Sequence, residues 1–218
     1  MRLLAATLLI CLLLLSAAAR TFDNCSCNAK DGTCSANISC AGGCIAVCPG
    51  GGNTCRATCS GGGGGSGYGE IDYMMAVSMQ TDSDTNTVAA ELARITGRPV
   101  VFIPANGNTP ISLDVKRAAL WDVLEILSAS GKIEIGGDDF SKLQNIRKAL
   151  VTGEKMSICV HNASVQRVVN EFASLSGLSI RVTSGNPKTI VTLSASDASL
   201  EEFLSQLAKE GGVEISTK

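Results

Sequence analysis

This chain is poor in aromatic side chains, has a single histidine (His161), and carries no excess of either charge. Aromatics make up 4% of its 218 residues, which leaves few rings on which bases or sugars could stack. Eighteen Lys and Arg stand against twenty Asp and Glu, and the two signs are interspersed, giving a formal net charge of −2. That excludes a basic footprint for nucleic acid or for an anionic membrane surface. Beyond residue 15 no stretch is long and apolar enough to cross a bilayer as a helix. Alternating runs are too few to supply the strands of a membrane barrel.

The beginning of the chain has the chemistry of an export signal. Arg2 gives a positive start, Leu3 to Leu15 is an apolar run, and Ala17-Ala18-Ala19 offers small residues for cleavage before Arg20. As a helix that run would extend about 20 Å, short of the roughly 30 Å hydrocarbon core. Residues 1–19 are therefore expected to be a signal peptide rather than an anchor. Phe22-Asp23-Asn24 before Cys25 and Ile10 before Cys11 are the wrong residues for a lipobox. A soluble exported protein is expected, periplasmic or associated with the outer membrane or cell surface.

Residues 20–60 form a cysteine-rich segment with Cys25, Cys27, Cys34, Cys40, Cys44, Cys48, Cys55 and Cys59. Its large apolar inventory is Phe22, Ile38, Ile45 and Val47, too little for a core. An even cysteine set in an exported, core-less segment points to four disulfides, among 105 possible pairings. A thiolate metal cluster is the alternative, since the spacings at 40, 44 and 48 lie within reach of one ion. An oxidising compartment, no histidine in the segment and no paired Cys-x-x-Cys hooks count against it. Residues 61–69, Gly-Gly-Gly-Gly-Gly-Ser-Gly-Tyr-Gly, read as a flexible linker.

From Glu70 onward the sequence is patterned, and it repeats itself. With an offset of eighty, residues 87–135 lie over 167–215 without a gap. Val88, Glu91, Ala93 and Gly97 meet Val168, Glu171, Ala173 and Gly177. Asn106, Leu113 and Ala118 meet Asn186, Leu193 and Ala198. Leu120, Leu124 and Leu127 meet Leu200, Leu204 and Leu207, and Gly131, Glu134 and Ile135 meet Gly211, Glu214 and Ile215. This is an internal duplication.

Each copy reads β-α-β-β-α-β. In the first, residues 71–80 alternate as a half-buried strand, and Val88, Leu92 and Ile95 follow at helical spacing up to Gly97, an expected left-handed cap. Pro99 to Ile103 is a strand, Asn106-Gly107-Asn108 a turn, and Ile111, Leu113 and Val115 a third strand. Leu120, Val123, Leu124 and Leu127 make a second helix stopped at Gly131, and Ile133 with Ile135 closes the unit. In the second, Met156, Ile158 and Val160 alternate, and Asn162 or Ser164 can cap a helix through Val165, Val168, Val169, Phe172 and Leu175. Leu178 to Val182, a turn at Gly185-Asn186-Pro187, Val191 with Leu193, a helix through Leu200, Phe203, Leu204 and Leu207, and Val213 with Ile215 complete it. Asp138 to Leu150 is expected as a bridging helix. The fold class is α+β: two tandem βαβ–βαβ units at 70–135 and 155–218, with helices packed between small sheets, joined through 136–154 and preceded by the disulfide-rich, core-less segment.

The order of elements resembles the secretin and TonB short N-terminal domain family. So does the local texture: helices ending in Thr96-Gly97 or Ser176-Gly177, a strand such as Val191-Thr192-Leu193-Ser194, then a short step into Leu200-Glu201-Glu202-Phe203-Leu204. The resemblance spans 70–135 and 155–218. It implies a periplasmic protein–protein contact module, and it brings no catalytic or ligand residues with it.

The remaining chemistry is thin. Cys159 is the cysteine left over, mid-strand between Ile158 and Val160, where a buried or edge thiol is expected. His161 would share its strand face, yet i,i+2 partners on a strand sit about 7 Å apart, too far for the hydrogen bond that activates a thiol. Gly61–Gly69 and Gly131-Lys132 lack the remainder of a phosphate loop. Asp138-Asp139 and Glu201-Glu202 read as charges at helix N-termini. Trp121 sits one position off its helix's apolar stripe, in the slot of Glu201, and is the candidate contact anchor. The expectation is a non-enzymatic exported binding module with no cofactor and no metal, contacting another envelope protein. The alternative is a cysteine-rich surface or coat protein with the tandem units as its stalk.

Overall fold

A computed structural model describes residues 23–28, 35–40, 43–49, 55–59, 71–103, 109–129 and 131–218. The expected signal peptide, the expected glycine linker, Cys34 and the expected turn at 106–108 lie outside them. The fold is mixed α+β, with helices packed on several small antiparallel sheets.

Strand β1 (Asp23–Asn28) pairs with β2 (Ser35–Cys40). Strand β3 (Cys44–Pro49) pairs with β4 (Arg56–Cys59). The first unit then runs β5 (Ala76–Asp84), α1 (Thr85–Thr96), β6 (Val100–Ile103), β7 (Pro110–Ala119), α2 (Leu120–Ser128) and β8 (Lys132–Ile135). A two-residue strand β9 (Asp138–Asp139) leads into the bridging helix α3 (Phe140–Thr152). The second unit follows with β10 (Met156–Ser164), α4 (Val165–Ser176), β11 (Ile180–Ser184), β12 (Ile190–Ala198), α5 (Leu200–Gly211) and β13 (Glu214–Thr217).

The two units are built alike. Within each, the first and third strands pair (β5 with β7, β10 with β12), as do the second and fourth (β6 with β8, β11 with β13). The helices lie between these pairs, because Val88, Leu92, Leu120 and Leu124 of one unit, like Val168, Phe172, Phe203 and Leu207 of the other, must leave water. The offset of eighty holds for β5 and β10 and for α1 and α4, and the pairing Ser83–Ile111 recurs as Ala163–Val191. Arg117 and Asp197, also eighty apart, both take left-handed backbone (φ 55° and 56°), so the copies share a kink that their unlike side chains do not announce.

Local signals explain the helix ends. Asp84, Asp139, Ser164 and Ser199 each accept a hydrogen bond from a backbone N–H of the first turn, and Ser199 with Glu202 forms a reciprocal capping box. Gly97 and Gly177 end α1 and α4 in left-handed conformation, as the sequence predicts. Asn162 is not the cap of α4; it stands at an irregularity of β10 with φ 52°.

One expectation is displaced. Residues 71–75 do not begin strand β5 but form a turn, in which the Met75 N–H donates to the Asp72 carbonyl. Ile71 and Tyr73 are buried all the same, Tyr73 against Trp121 of α2 and Asp138 after the first unit.

The described side chains of the cysteine-rich segment contribute to a core elsewhere in the chain. Strand β3 pairs with β10 along Met156–His161, producing a sheet of order β12-β10-β3-β4. Ile45 and Val47 thereby join the core of the second unit, next to α3. The opposite face of β3 and β10, with Cys44, Ala46, Cys48 and Ser157, is also buried, and the β1–β2 hairpin lies across β10, β3 and β4.

Candidate functional site

Four parts of the chain meet in a buried ionic cluster. Arg56 of β4 donates from Nη1 to Asp138 Oδ2 at 2.8 Å, and its Nε lies 3.2 Å from Glu171 Oε1 on α4, outside hydrogen-bond geometry. The Tyr73 hydroxyl donates to the same Asp138 oxygen at 3.2 Å, and the guanidinium carbon is 5.9 Å from the Tyr73 ring centre. Burial alone would lower the Arg56 pKa, but the attraction of Glu171 and Asp138 outweighs it, so the guanidinium stays charged above its ordinary range. Burial also pushes the Tyr73 phenol up.

Beside this cluster lies Trp121, and here the sequence reading is corrected. Trp121 is 2% exposed and is not a surface anchor. Its ring meets Tyr73 edge-on at 5.7 Å and Phe140 at 4.9 Å, and the Arg147 guanidinium of α3 lies 4.3 Å from the ring centre. The position looks peripheral on α2 alone because α3 covers that side of the helix. Trp121 thus anchors the bridging helix to the first unit from within.

The cysteines are partly accounted for. Cys48 and Cys55 form a disulfide closing the turn between β3 and β4. Cys44 is buried, and stands opposite Cys59 on one side and His161 on the other in strand register. Cys159 is half-buried on β10, opposite Ala46 and Ser194. Cys44, Cys159 and His161 therefore belong to the same face of one sheet. Among the described residues no group of three His, Cys, Asp or Glu side chains could hold a metal ion, and no helix is long and apolar enough to cross a membrane. The side chains of Cys25, Cys27, Cys40 and Cys59 lie outside what is described.

The surface feature suited to contact lies on the second unit, at a place the residue patterns did not single out. An open groove of about 860 Å³ runs between α5, β13 and the C-terminal end of α3. Leu200, Leu204 and Ala208 form one wall, Ile215 another, and Leu150 with the exposed Val151 a third. Glu201 and Glu214 lie on its rim. Lys155 is there too, but it is held by Glu202. Among the described residues β13 pairs with β11 alone, so its other edge presents main-chain donors and acceptors beside the groove. In the first unit the matching edge of β8 is occupied by β9, and α3 packs over α2 and β8.

Comparison with protein-family models, with curated proteins and with solved structures returns no match.

Proposed function

We propose that this chain is an exported, non-catalytic protein–protein contact module of a bacterial envelope, acting on an outer-membrane or periplasmic partner in secretion, transport or signalling. The observation that carries the reading is the open groove and bare β13 edge of the second unit, on a scaffold whose first unit has the same place filled. Apolar grooves beside an unpaired strand are where extended or helical segments of other proteins bind. The export part is supported by Arg2, the Leu3–Leu15 run and Ala17–Ala19, and by a disulfide that suits an oxidising compartment. The family resemblance of the two units supports the same role.

The test is affinity capture from envelope extracts with the mature chain as bait. A discrete partner retained by wild type and lost on blocking the groove with Ser205→Arg supports the reading. Capture of nothing but disulfide-linked multimers of the chain itself would replace it with the coat-protein alternative.

A further inference from the structure

We infer that the groove of the second unit receives a strand-then-helix segment of a partner protein, with an amphipathic helix bearing Lys or Arg toward Glu201. The inference rests on the contact-module reading and names the chemistry of what that site takes.

The duplication supplies the template. At an offset of eighty, the groove residues Leu200, Glu201, Leu204 and Ile215 correspond to Leu120, Trp121, Leu124 and Ile135. In the first unit the chain that follows β8 covers Trp121 and the β8 edge, whereas in the second Glu201 is exposed and Ile215 only half-buried, with Leu200 and Leu204 buried within their own unit. Asp138 and Asp139 add to the β8 edge as β9, in register with Ile135 and Glu134. Helix α3 then begins at Phe140, whose ring packs on Trp121, and Leu143, Ile146, Ala149 and Leu150 continue its buried stripe. What fills this surface once, on the same scaffold, is a short strand followed at once by an amphipathic helix. The β13 edge and its neighbouring wall present the same two docking elements, main-chain groups first and an open groove of about 860 Å³ beside them.

Charge specifies the helix further. Within Phe140–Thr152 there are Lys142, Arg147 and Lys148 and no acidic residue. Arg147 is the side chain that reaches Trp121, lying over its ring at 4.3 Å as a cation–π contact. The second unit has Glu201 in that slot, exposed on the groove rim. A carboxylate there takes the same cation as a charge-assisted hydrogen bond. Glu214 adds a second negative charge, and Lys155 does not offset them because Glu202 already holds it. The chain cannot supply the occupant from its own 138–152 without emptying the first unit, since Phe140 and Ile146 are fully buried there. Residues 138–152 are thus not the occupant, and the acidic rim of Glu201 and Glu214 fits a basic segment of a partner.

The experiment uses a labelled synthetic peptide of residues 136–153 as the probe and fluorescence anisotropy against the full mature chain. Saturable binding below about 1 mM is expected, weakened at least about tenfold by Ser205→Arg and by Glu201→Lys, and strengthened at low salt. Both positions are exposed, and circular dichroism with Trp121 fluorescence verifies that the variants fold. Absence of saturable binding, or variants that bind as tightly as wild type, overturns the inference. A captured partner indifferent to Ser205→Arg and Glu201→Lys also overturns it while leaving a contact role through another surface. If light scattering finds a dimer of the chain that Ser205→Arg abolishes, the occupant is a second copy and the partner assignment falls.

Discussion

Glu91 and Glu171 occupy the same position in the two copies of one helix, and their surroundings are opposite. Glu91 is only half-buried and pairs with the exposed Arg94 one turn on, the nearer oxygen 2.6 Å from Nη2. Glu171 is 5% exposed and faces the buried guanidinium of Arg56 from the cysteine-rich segment. One duplicated carboxylate is a surface pair; its twin holds an accessory segment against the core.

That difference sets the first prediction. Arg56→Met leaves Glu171 buried without its cation and should cost about 3–5 kcal/mol in denaturant unfolding. Glu91→Gln should leave the unfolding midpoint almost unchanged, because solvent screens that pair. Adding Glu171→Gln to Arg56→Met should recover part of the loss. A loss under about 1 kcal/mol for Arg56→Met would mean that water reaches the cluster.

Trp121 is the one tryptophan, so it reports its own burial. Its emission should be that of a buried indole, shielded from iodide until the protein unfolds. Trp121→Ala should cost about 3–5 kcal/mol, because the cavity lies between α2 and α3 and opens the join between the units. Solvent-like emission in the native state would contradict this packing.

Gly97 and Gly177 separate backbone strain from crowding. Both are left-handed, so Ala at either position costs about 1–2 kcal/mol. A Cβ at Gly97 meets nothing within 4 Å, whereas at Gly177 it would lie 2.6 Å from Nη2 of Arg147. Gly177→Ala must displace Arg147 from the Trp121 face, so it should be the more destabilising of the two and should shift Trp121 emission. Equal costs and an unchanged spectrum would show that Arg147 yields freely.

What was legible in the sequence was what repeats locally. The offset of eighty, the helix stripes of α1 to α5, the glycine caps Gly97 and Gly177 and the capping Ser164 all rest on spacings of a few residues, and the elements follow them, although α2 ends at Ser128 and Ala129 rather than at Gly131. Pairing across the chain left no such mark. Ile45 and Val47 are too few to announce a core, and nothing in Cys44–Pro49 names β10 as its neighbour. Arg56 carries no local sign of its distant partners, and the identity of Glu171 with Glu91 conceals that only one of them is buried. Trp121 seemed peripheral because its covering helix is contributed by the bridging segment, outside the repeated unit. The groove escaped notice for a related reason: it is defined by what covers its twin.

Redox chemistry gives the fourth prediction. Peptide mapping without reduction should recover Cys48 linked to Cys55. Replacing both by Ser removes a short loop closure worth about 2–3 kcal/mol. The same map checks the expectation that all eight cysteines of residues 20–60 are oxidised; eight alkylatable thiols with bound zinc would reverse it.

Acid stability gives the fifth. Glu202 is held down to about 2, first by the hydrogen bond from Lys155 and then by those from the Ser199 backbone and hydroxyl. A carboxyl depressed from its reference value of 4.5 in the folded state contributes stability above that value, and the contribution fades as pH falls toward 2. Glu202→Gln should therefore lower the melting temperature at pH 7, with the gap to wild type closing between pH 4.5 and 2. A gap constant over that range would remove Glu202 as a contributor to acid sensitivity.

The seam between β3 and β10 also orders events in time. Cys44 and its register partner His161 are more than a hundred residues apart, so β3 leaves the ribosome long before its neighbour strand exists. The loop that must close is long, and such pairings form late in folding. The first part of the chain to be made is thus the last to be secured, and through that interval its thiols stand open to whatever oxidant or exchange catalyst surrounds them.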